Sequence, residues 1–317
     1  MRVLITGATG FIGANLAHRL AARSDVELHI ILRESSEVWR LNKVFNKIKA
    51  HYCDLSSREA VMRTVLEIKP EIVFHSAVYG AFHFQTDAKK IIDTNYLGTV
   101  NLLDACMQTG FECFINTGST SEYGIKDQPM SESDVLEPVE DYGVAKAAAA
   151  LYCRAKAKKH ALPVVTLRLF SVYGYYEERT RLVPSLVIPC LKNEELKLAN
   201  PEAVRGFTFI EDIVAAYELV TQNISRIPPG EIFNVGSEKQ YSVREVYEMA
   251  KRLTGATVEA QWHAAEGRYT DKARTWVSNS TKIREMIGWK PRHDLESGLN
   301  KTVDWFRENI KLYEQAT

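Results

Sequence analysis

Apolar and polar positions along the first half of the chain fall into blocks that switch between two periods. Val3, Leu4 and Ile5 make a short apolar run of the kind that a strand buried on both faces requires. Residues 11–23 follow with helical periodicity. Further strands are predicted over 27–32, 48–52, 71–75, 112–117 and 164–170. Between them, Ser56 and Glu59 have capping-box spacing and open a predicted helix to Ile68. Longer helical stretches cover 87–108 and 142–160. Strands and helices alternating at this spacing connect through right-handed crossovers into one parallel sheet with both faces covered. The predicted fold is doubly wound α/β. After Gly174 the pattern loosens into short elements, among them 207–210 and 232–235. Ser242 and Glu245 form a second capping box, on a helix ending near Gly255, and a last helix is predicted over 295–309. The reading gives a sheet domain, 1–174, and a smaller α/β lobe, 175–317, packed over the carboxyl ends of the strands.

Gly7, Gly10 and Gly13 stand at G-x-x-G-x-x-G spacing between the first strand and the first helix, with Thr9, Phe11 and Ile12 in the same turn. Such a turn gathers backbone N–H groups and the positive end of a helix, which suits a dinucleotide pyrophosphate. The fold expectation becomes Rossmann-type. In NAD-binding sheets an acidic residue closes the second strand and holds the ribose 2′-hydroxyl. Here Arg33 closes it, with Glu34, Ser35 and Ser36 following. An arginine there accommodates a 2′-phosphate, so NADP is favoured over NAD. Asp54, followed by Leu55, is expected at the adenine, and Ser76-Ala77 against the cofactor.

Bulk properties narrow the function classes. The 317 residues carry 40 basic and 40 acidic side chains, so no basic surface for nucleic acid or membrane is implied. The five cysteines are scattered without C-x-x-C pairing and read as reduced thiols. No apolar run approaches membrane-spanning length and no signal peptide precedes the first strand, which points to the cytoplasm. His83, His160, His263 and His293 lack partners at metal-ligand spacing, so no metal is expected. His75, at a strand end, reads as a core or cofactor-loop histidine.

Tyr142 and Lys146 lie four apart on one face of a predicted helix. An ammonium beside a phenol stabilises phenolate and lowers the tyrosine pKa, fitting it to exchange a proton with a sugar oxygen during hydride transfer. The fifth strand ends in a hydroxyl cluster, Ser119, Thr120 and Ser121, at the carboxyl edge of the sheet.

These motifs resemble the extended short-chain dehydrogenase/reductases of the nucleotide-sugar epimerase/dehydratase family. The resemblance rests on residues 6–13, Asp54-Leu55, residues 95–99, Ser119 with Tyr123-Gly124, Tyr142 with Lys146, and residues 168–174, 205–212 and 288–291. It implies a nucleoside-diphosphate sugar in the C-terminal lobe and hydride exchange at C4. Counted back from Tyr123-Gly124, Ser119 takes the catalytic hydroxyl position, with Thr120 as the fallback. Arg205 and Arg268 match positions that contact the nucleotide or its diphosphate, and Asn95 one that supports the site. Ser171 stands where the family usually has a substrate-touching Asn. Tyr79, after Ala77-Val78, and Glu122, before Tyr123, resemble 4-ketoreductases, and with Arg33 they favour reduction of an NDP-4-keto-6-deoxy sugar. The alternatives are a 4-epimerase with tightly held NAD, a 4,6-dehydratase with Glu122 as its extra acid, and a non-enzymatic nucleotide sensor. The resemblance also implies a homodimer paired through the two long helices.

Overall fold

The computed structural model describes residues 1–263 and 269–314. Seven parallel strands form its central sheet: β1 (Arg2–Thr6), β2 (Glu27–Leu32), β3 (Ile48–Tyr52), β4 (Ile72–His75), β5 (Cys113–Ser119), β6 (Val164–Leu169) and β7 (Glu231–Val235). Their spatial order is β7-β6-β5-β4-β1-β2-β3. The order reverses between β1 and β4, and a crevice opens at such a switch point beyond the carboxyl ends of the strands. The inner strands are apolar because both faces are covered. Val3, Leu4 and Ile5 are fully buried.

Helices α1 (Phe11–Ala21), α2 (Arg58–Ile68), α3 (Gly98–Thr109) and α4 (Asp141–His160) belong to the sheet layers. Helices α5 (Leu182–Lys192), α6 (Ile210–Asn223), α7 (Val243–Thr254) and α8 (Leu295–Asn309) come from the second half. One core lies between the sheet and α1, α5, α6, α7 and α8, and a second lies on the other face against α2, α3 and α4. Short strand pairs complete the lobe, Val172–Tyr173 with Thr208–Phe209 and Val204–Arg205 with Tyr241–Ser242 among them. None of the described helices is long and apolar enough to cross a membrane. All five cysteines are buried and free.

Three local departures from the sequence reading have physical causes. The cap of α2 is Ser57, whose hydroxyl accepts the Ala60 N–H, while Ser56 turns back and donates its hydroxyl to Asp54 at 2.8 Å. The long segment 87–108 is interrupted: a short helix, Ala88–Ile92, passes through a π-helical turn, Asp93–Leu97, before α3 begins. The extra residue of that turn brings Asn95 inward, where it accepts the Tyr79 N–H at 3.0 Å and donates to the Tyr79 carbonyl at 2.6 Å. Finally, residues 231–235 form no lobe strand but the seventh strand of the sheet, paired with β6.

Candidate active site

A cavity of about 700 Å³ occupies the crevice at the switch point. Its wall at the end of β1 is the glycine turn, with Gly7, Thr9, Gly10, Phe11, Ile12 and Gly13 all exposed to it. Gly7 has φ +71°, and a Cβ there would lie 2.5 Å from the Ala77 nitrogen, so the turn after β1 and the loop after β4 can approach only through glycine. A Cβ on Gly13 would lie 2.3 Å from the Gly7 carbonyl oxygen, which locks α1 onto the turn. At Gly10 a Cβ would meet only the Gly7 oxygen, at 3.3 Å, and this glycine keeps the backbone open towards the cavity. A pyrophosphate fits such a surface.

Beyond the turn, Arg33, Ser36, Asp54, Leu55 and Ala77 line the far end, whereas Glu34 and Ser35 do not. The Arg33 N–H donates to the Ser36 hydroxyl at 3.0 Å, which tightens the loop after β2. Asp54 accepts the Ser56 N–H at 2.9 Å; this bond, with the charges of Arg33 and Lys90, holds its carboxyl below the usual carboxylate range.

Arg40 has no counterpart in the sequence reading. It donates to the Thr9 carbonyl at 3.2 Å, to the Tyr176 carbonyl at 2.8 Å and to Glu178 at 2.9 Å, fastening the glycine turn to the loop after Gly174. On that loop Glu177 lines the cavity, and burial pushes its carboxyl up to about 8. Arg181 lines the same wall, donating to the Ala81 carbonyl at 2.9 Å, with its guanidinium 5.1 Å from the Phe82 ring centre. The polar loop 174–181 carries no periodic signal, which is why sequence alone did not single out these side chains.

Ser119, Thr120, Tyr142 and Lys146 all line the same cavity. Ser119 ends β5 and accepts the Ser121 N–H at 3.1 Å, and its hydroxyl is also hydrogen-bonded to the Tyr142 phenol. Thr120 is committed otherwise, donating to the Leu169 carbonyl at 3.3 Å. Tyr142 and Lys146 are one turn apart at the start of α4. The direction of the Tyr142 shift differs from the expectation. Burial raises its pKa, and the neighbouring Ser119 hydroxyl and Arg181 charge only offset part of the rise. Burial likewise lowers the pKa of Lys146, which is 2% exposed, against the opposing charge of Glu122. The cation that offsets the burial of the phenol is Arg181 rather than Lys146, and the water lost around the phenol outweighs it.

Ser171 lines the cavity with φ +30°, a left-handed backbone that Asn tolerates better than Ser, and Asn is the family's usual residue there. Arg205 also lines the cavity; it is ion-paired with Asp271, with its guanidinium 5.7 Å from the Trp276 ring centre. Tyr79 is not part of the cavity wall; its ring carries the Lys90 ammonium at 4.6 Å, and its neighbours Val78 and Gly80 face the cavity instead. Arg268 lies outside the described residues. Glu122 is fully buried. It accepts the Ser119 N–H at 2.8 Å and Arg168 Nε at 2.7 Å. His75 is caught between two hydroxyls, Thr6 at 2.6 Å and Thr99 at 2.8 Å. Thr99 already donates to the Asn95 carbonyl, so His75 Nε2 carries the proton and Nδ1 accepts from Thr6. Among the described residues no cluster of three His, Cys, Asp or Glu is arranged to hold a metal.

A family model described as "NAD dependent epimerase/dehydratase family" matches residues 3–236. The chain is 27% identical over 323 residues to a trifunctional UDP-glucose 4,6-dehydratase/UDP-4-keto-6-deoxy-D-glucose 3,5-epimerase/UDP-4-keto-L-rhamnose-reductase of Arabidopsis thaliana, covering 97% of this chain and 47% of that protein. It therefore spans about half the length of that relative. A UDP-glucose 4-epimerase of Mycolicibacterium smegmatis is 28% identical over 321 residues, covering 97% of this chain and 99% of that one. The structure of a Thermotoga maritima UDP-glucose 4-epimerase with UDP-glucose superposes with a TM-score of 0.87 at 25% identity, covering 98% of this chain and 100% of that one. With the family model spanning most of its length, and the glycine turn and Tyr142–Lys146 pair set around one crevice, the chain belongs to the NAD-dependent epimerase/dehydratase family of extended short-chain dehydrogenase/reductases.

Proposed function

We propose that this chain is an NADPH-dependent oxidoreductase that reduces the C4 ketone of a nucleoside-diphosphate 4-keto-6-deoxy sugar. The observation that carries the reading is the convergence of Ser119, Tyr142 and Lys146 on the cavity that the glycine turn also lines. A bound dinucleotide supplies hydride from its nicotinamide. Tyr142 gives its proton to the sugar oxygen; its raised pKa keeps the phenol protonated at neutral pH, the form a reduction consumes. Ser119, hydrogen-bonded to Tyr142, turns its O–H to the same oxygen, and Lys146 places positive charge beside the phenolate that forms. Arg33 and Ser36 frame the end where a 2′-phosphate would sit, while Glu34 stays outside the wall. Arg205, and by resemblance Arg268, supply guanidinium for the diphosphate.

A dehydratase needs a further acid and base, and Glu122 is tied to Arg168 and the Ser119 N–H. The second reading is a 4-epimerase holding NAD, which the likeness to the UDP-glucose 4-epimerases favours. In both readings residues 1–174 bind the dinucleotide and 175–317 the nucleotide sugar, in the cytoplasm. Both also take the chain as a homodimer joined through exposed apolar positions such as Leu97, Val144 and Leu151.

The test is mass spectrometry of whatever dinucleotide the freshly purified, denatured protein releases. It is paired with an assay for NADPH consumption on a panel of nucleoside-diphosphate 4-keto-6-deoxy sugars. The reductase reading expects little retained NAD and NADPH oxidation with at least one sugar. Stoichiometric NAD, with C4 inversion needing no added cofactor, would replace it with the epimerase.

A further inference from the structure

Glu122 is a charged group at the heart of the site to which the chemistry above gives no part. It is 0% exposed, and both of its oxygens are engaged: Oε1 accepts the Ser119 N–H at 2.8 Å and Oε2 accepts Arg168 Nε at 2.7 Å. Arg168 reaches on, donating from Nη1 to the Tyr123 hydroxyl at 2.8 Å, which donates to Asn234 Oδ1 at 2.7 Å. Room for this pair is made by Gly118. A Cβ there would lie 2.7 Å from Glu122 Oε1 and 3.0 Å from Arg168 Cγ. Three residues on two adjacent strands and the turn between β5 and α4 are thus shaped around one buried carboxylate.

Stability alone does not account for it, because a buried ion pair roughly breaks even against apolar side chains of similar volume. Its placement is more informative. Glu122 sits one turn of chain after Ser119, closing a reciprocal cap in which the Ser119 hydroxyl takes the Ser121 N–H and Glu122 takes the Ser119 N–H. We propose that Glu122 is a positioning residue of the active site: anchored by Arg168, it clamps the Ser119 backbone so that the hydroxyl meets Tyr142, and it sets a fixed negative charge behind the Tyr142–Lys146 pair. The proposal rests on the reading of Ser119, Tyr142 and Lys146 as the reacting groups.

The surrounding groups define how that charge acts. From β6 comes Arg168. From α4 come Tyr142, Lys146 and Cys153, each of which feels Glu122. Tyr123 lies on the same turn, and Glu132, which accepts the Asn234 N–H at 2.8 Å, feels the charge of Arg168. His75 of β4, whose pKa Lys146 helps to lower, is neutral. Glu122 raises the proton affinity of Tyr142 and helps keep Lys146 charged. Both effects favour a phenol that arrives protonated beside an ammonium.

Glu122→Gln preserves the shape and an acceptor for the Ser119 N–H while removing the charge. The measurement is the titration of the Tyr142 phenol in protein carrying carbon-13 tyrosine, substrate-free, with the signal assigned through Tyr142→Phe. The Tyr142 midpoint is expected to fall by about one pH unit in Glu122→Gln, as loss of a nearby like charge dictates. The basic limb of kcat should move the same way with KM unchanged. Should Glu122→Gln not fold, the double variant Glu122→Gln/Arg168→Met, which leaves no unpaired buried charge, is read in its place. An unmoved midpoint in the folded variant overturns the proposal. Because the titration needs no turnover, a shifted midpoint in a protein inactive on every nucleotide sugar would overturn the functional reading and leave the placement of Glu122 standing.

Discussion

Gly7 and Ala77 meet so closely that no other residue fits at the first position: a Cβ on Gly7 would stand 2.5 Å from the Ala77 nitrogen, on a backbone at φ +71°. The contact joins the loops after β1 and β4 across the switch point and so shapes the floor of the dinucleotide cleft. Gly7→Ala carries both the clash and a left-handed backbone costing about 1–2 kcal/mol by itself. Dinucleotide affinity measured by calorimetry should fall by at least about tenfold, with a lower melting temperature. Wild-type affinity in this variant would mean that the two loops move apart freely.

Removing the phenol oxygen tests the chemistry apart from binding. Tyr142→Phe should cut turnover by about 10²–10⁴-fold, the usual worth of a positioned proton donor, and leave dinucleotide affinity within about threefold of wild type. Single-turnover kinetics would separate the two effects. Normal turnover would remove Tyr142 from the mechanism.

The cofactor preference hinges on Arg33. Arg33→Asp places a carboxylate where a 2′-phosphate would lie and where a 2′-hydroxyl could be accepted. The ratio of NADPH to NADH affinity should drop by about tenfold or more. An unchanged ratio, read by fluorescence titration with each reduced dinucleotide, would show that Arg33 does not reach the 2′ position.

His75 predicts the acid limb of stability. Burial lowers its pKa from an ordinary 6.5 to about 3, so the folded protein holds it neutral while the unfolded chain protonates it. Its contribution is therefore complete above about pH 6.5 and is lost as pH falls towards 3, at about 1.4 kcal/mol per pH unit, or about 2 kcal/mol at pH 5. Urea unfolding at pH 7 and pH 5 measures this, and His75→Gln should flatten the slope between them. An equally steep slope in that variant would assign the acid sensitivity to other groups.

How far the sequence reaches can be judged residue by residue. Strands at 27–32 and 48–52 and the helix at 295–309 match the structure residue for residue, because their apolar periods are uninterrupted and their ends carry turn or cap residues. The glycine turn and Arg33, Asp54, Leu55 and Ala77, all placed at the cofactor from the sequence, line one cavity, since a glycine turn and the ends of consecutive parallel strands are brought together by topology. The π-helical turn at Asp93–Leu97 was not legible: one inserted residue barely disturbs a helical pattern. Arg40, Glu177 and Arg181 were missed because their roles come from long-range contacts across loops. The pKa direction of Tyr142 escapes the sequence for a related reason: four-residue spacing puts Lys146 on the same helix face, but the cation that reaches the phenol is Arg181, from a distant loop, and burial outweighs it.

The return of the chain to the sheet at Glu231–Val235 has a practical consequence for anyone dissecting the protein. Its backbone pairs with β6 from Val165 to Leu169, and the Phe170 N–H donates to the Val235 carbonyl at 3.1 Å. A fragment cut at residue 174 would carry the whole glycine turn and the Tyr142–Lys146 pair, yet it would bare one side of an apolar strand whose hydrogen-bonding groups were made for a partner. Such an edge recruits other chains. The two halves are woven rather than joined, and a module for grafting or independent expression would have to include the far strand, by circular permutation or as a co-expressed fragment.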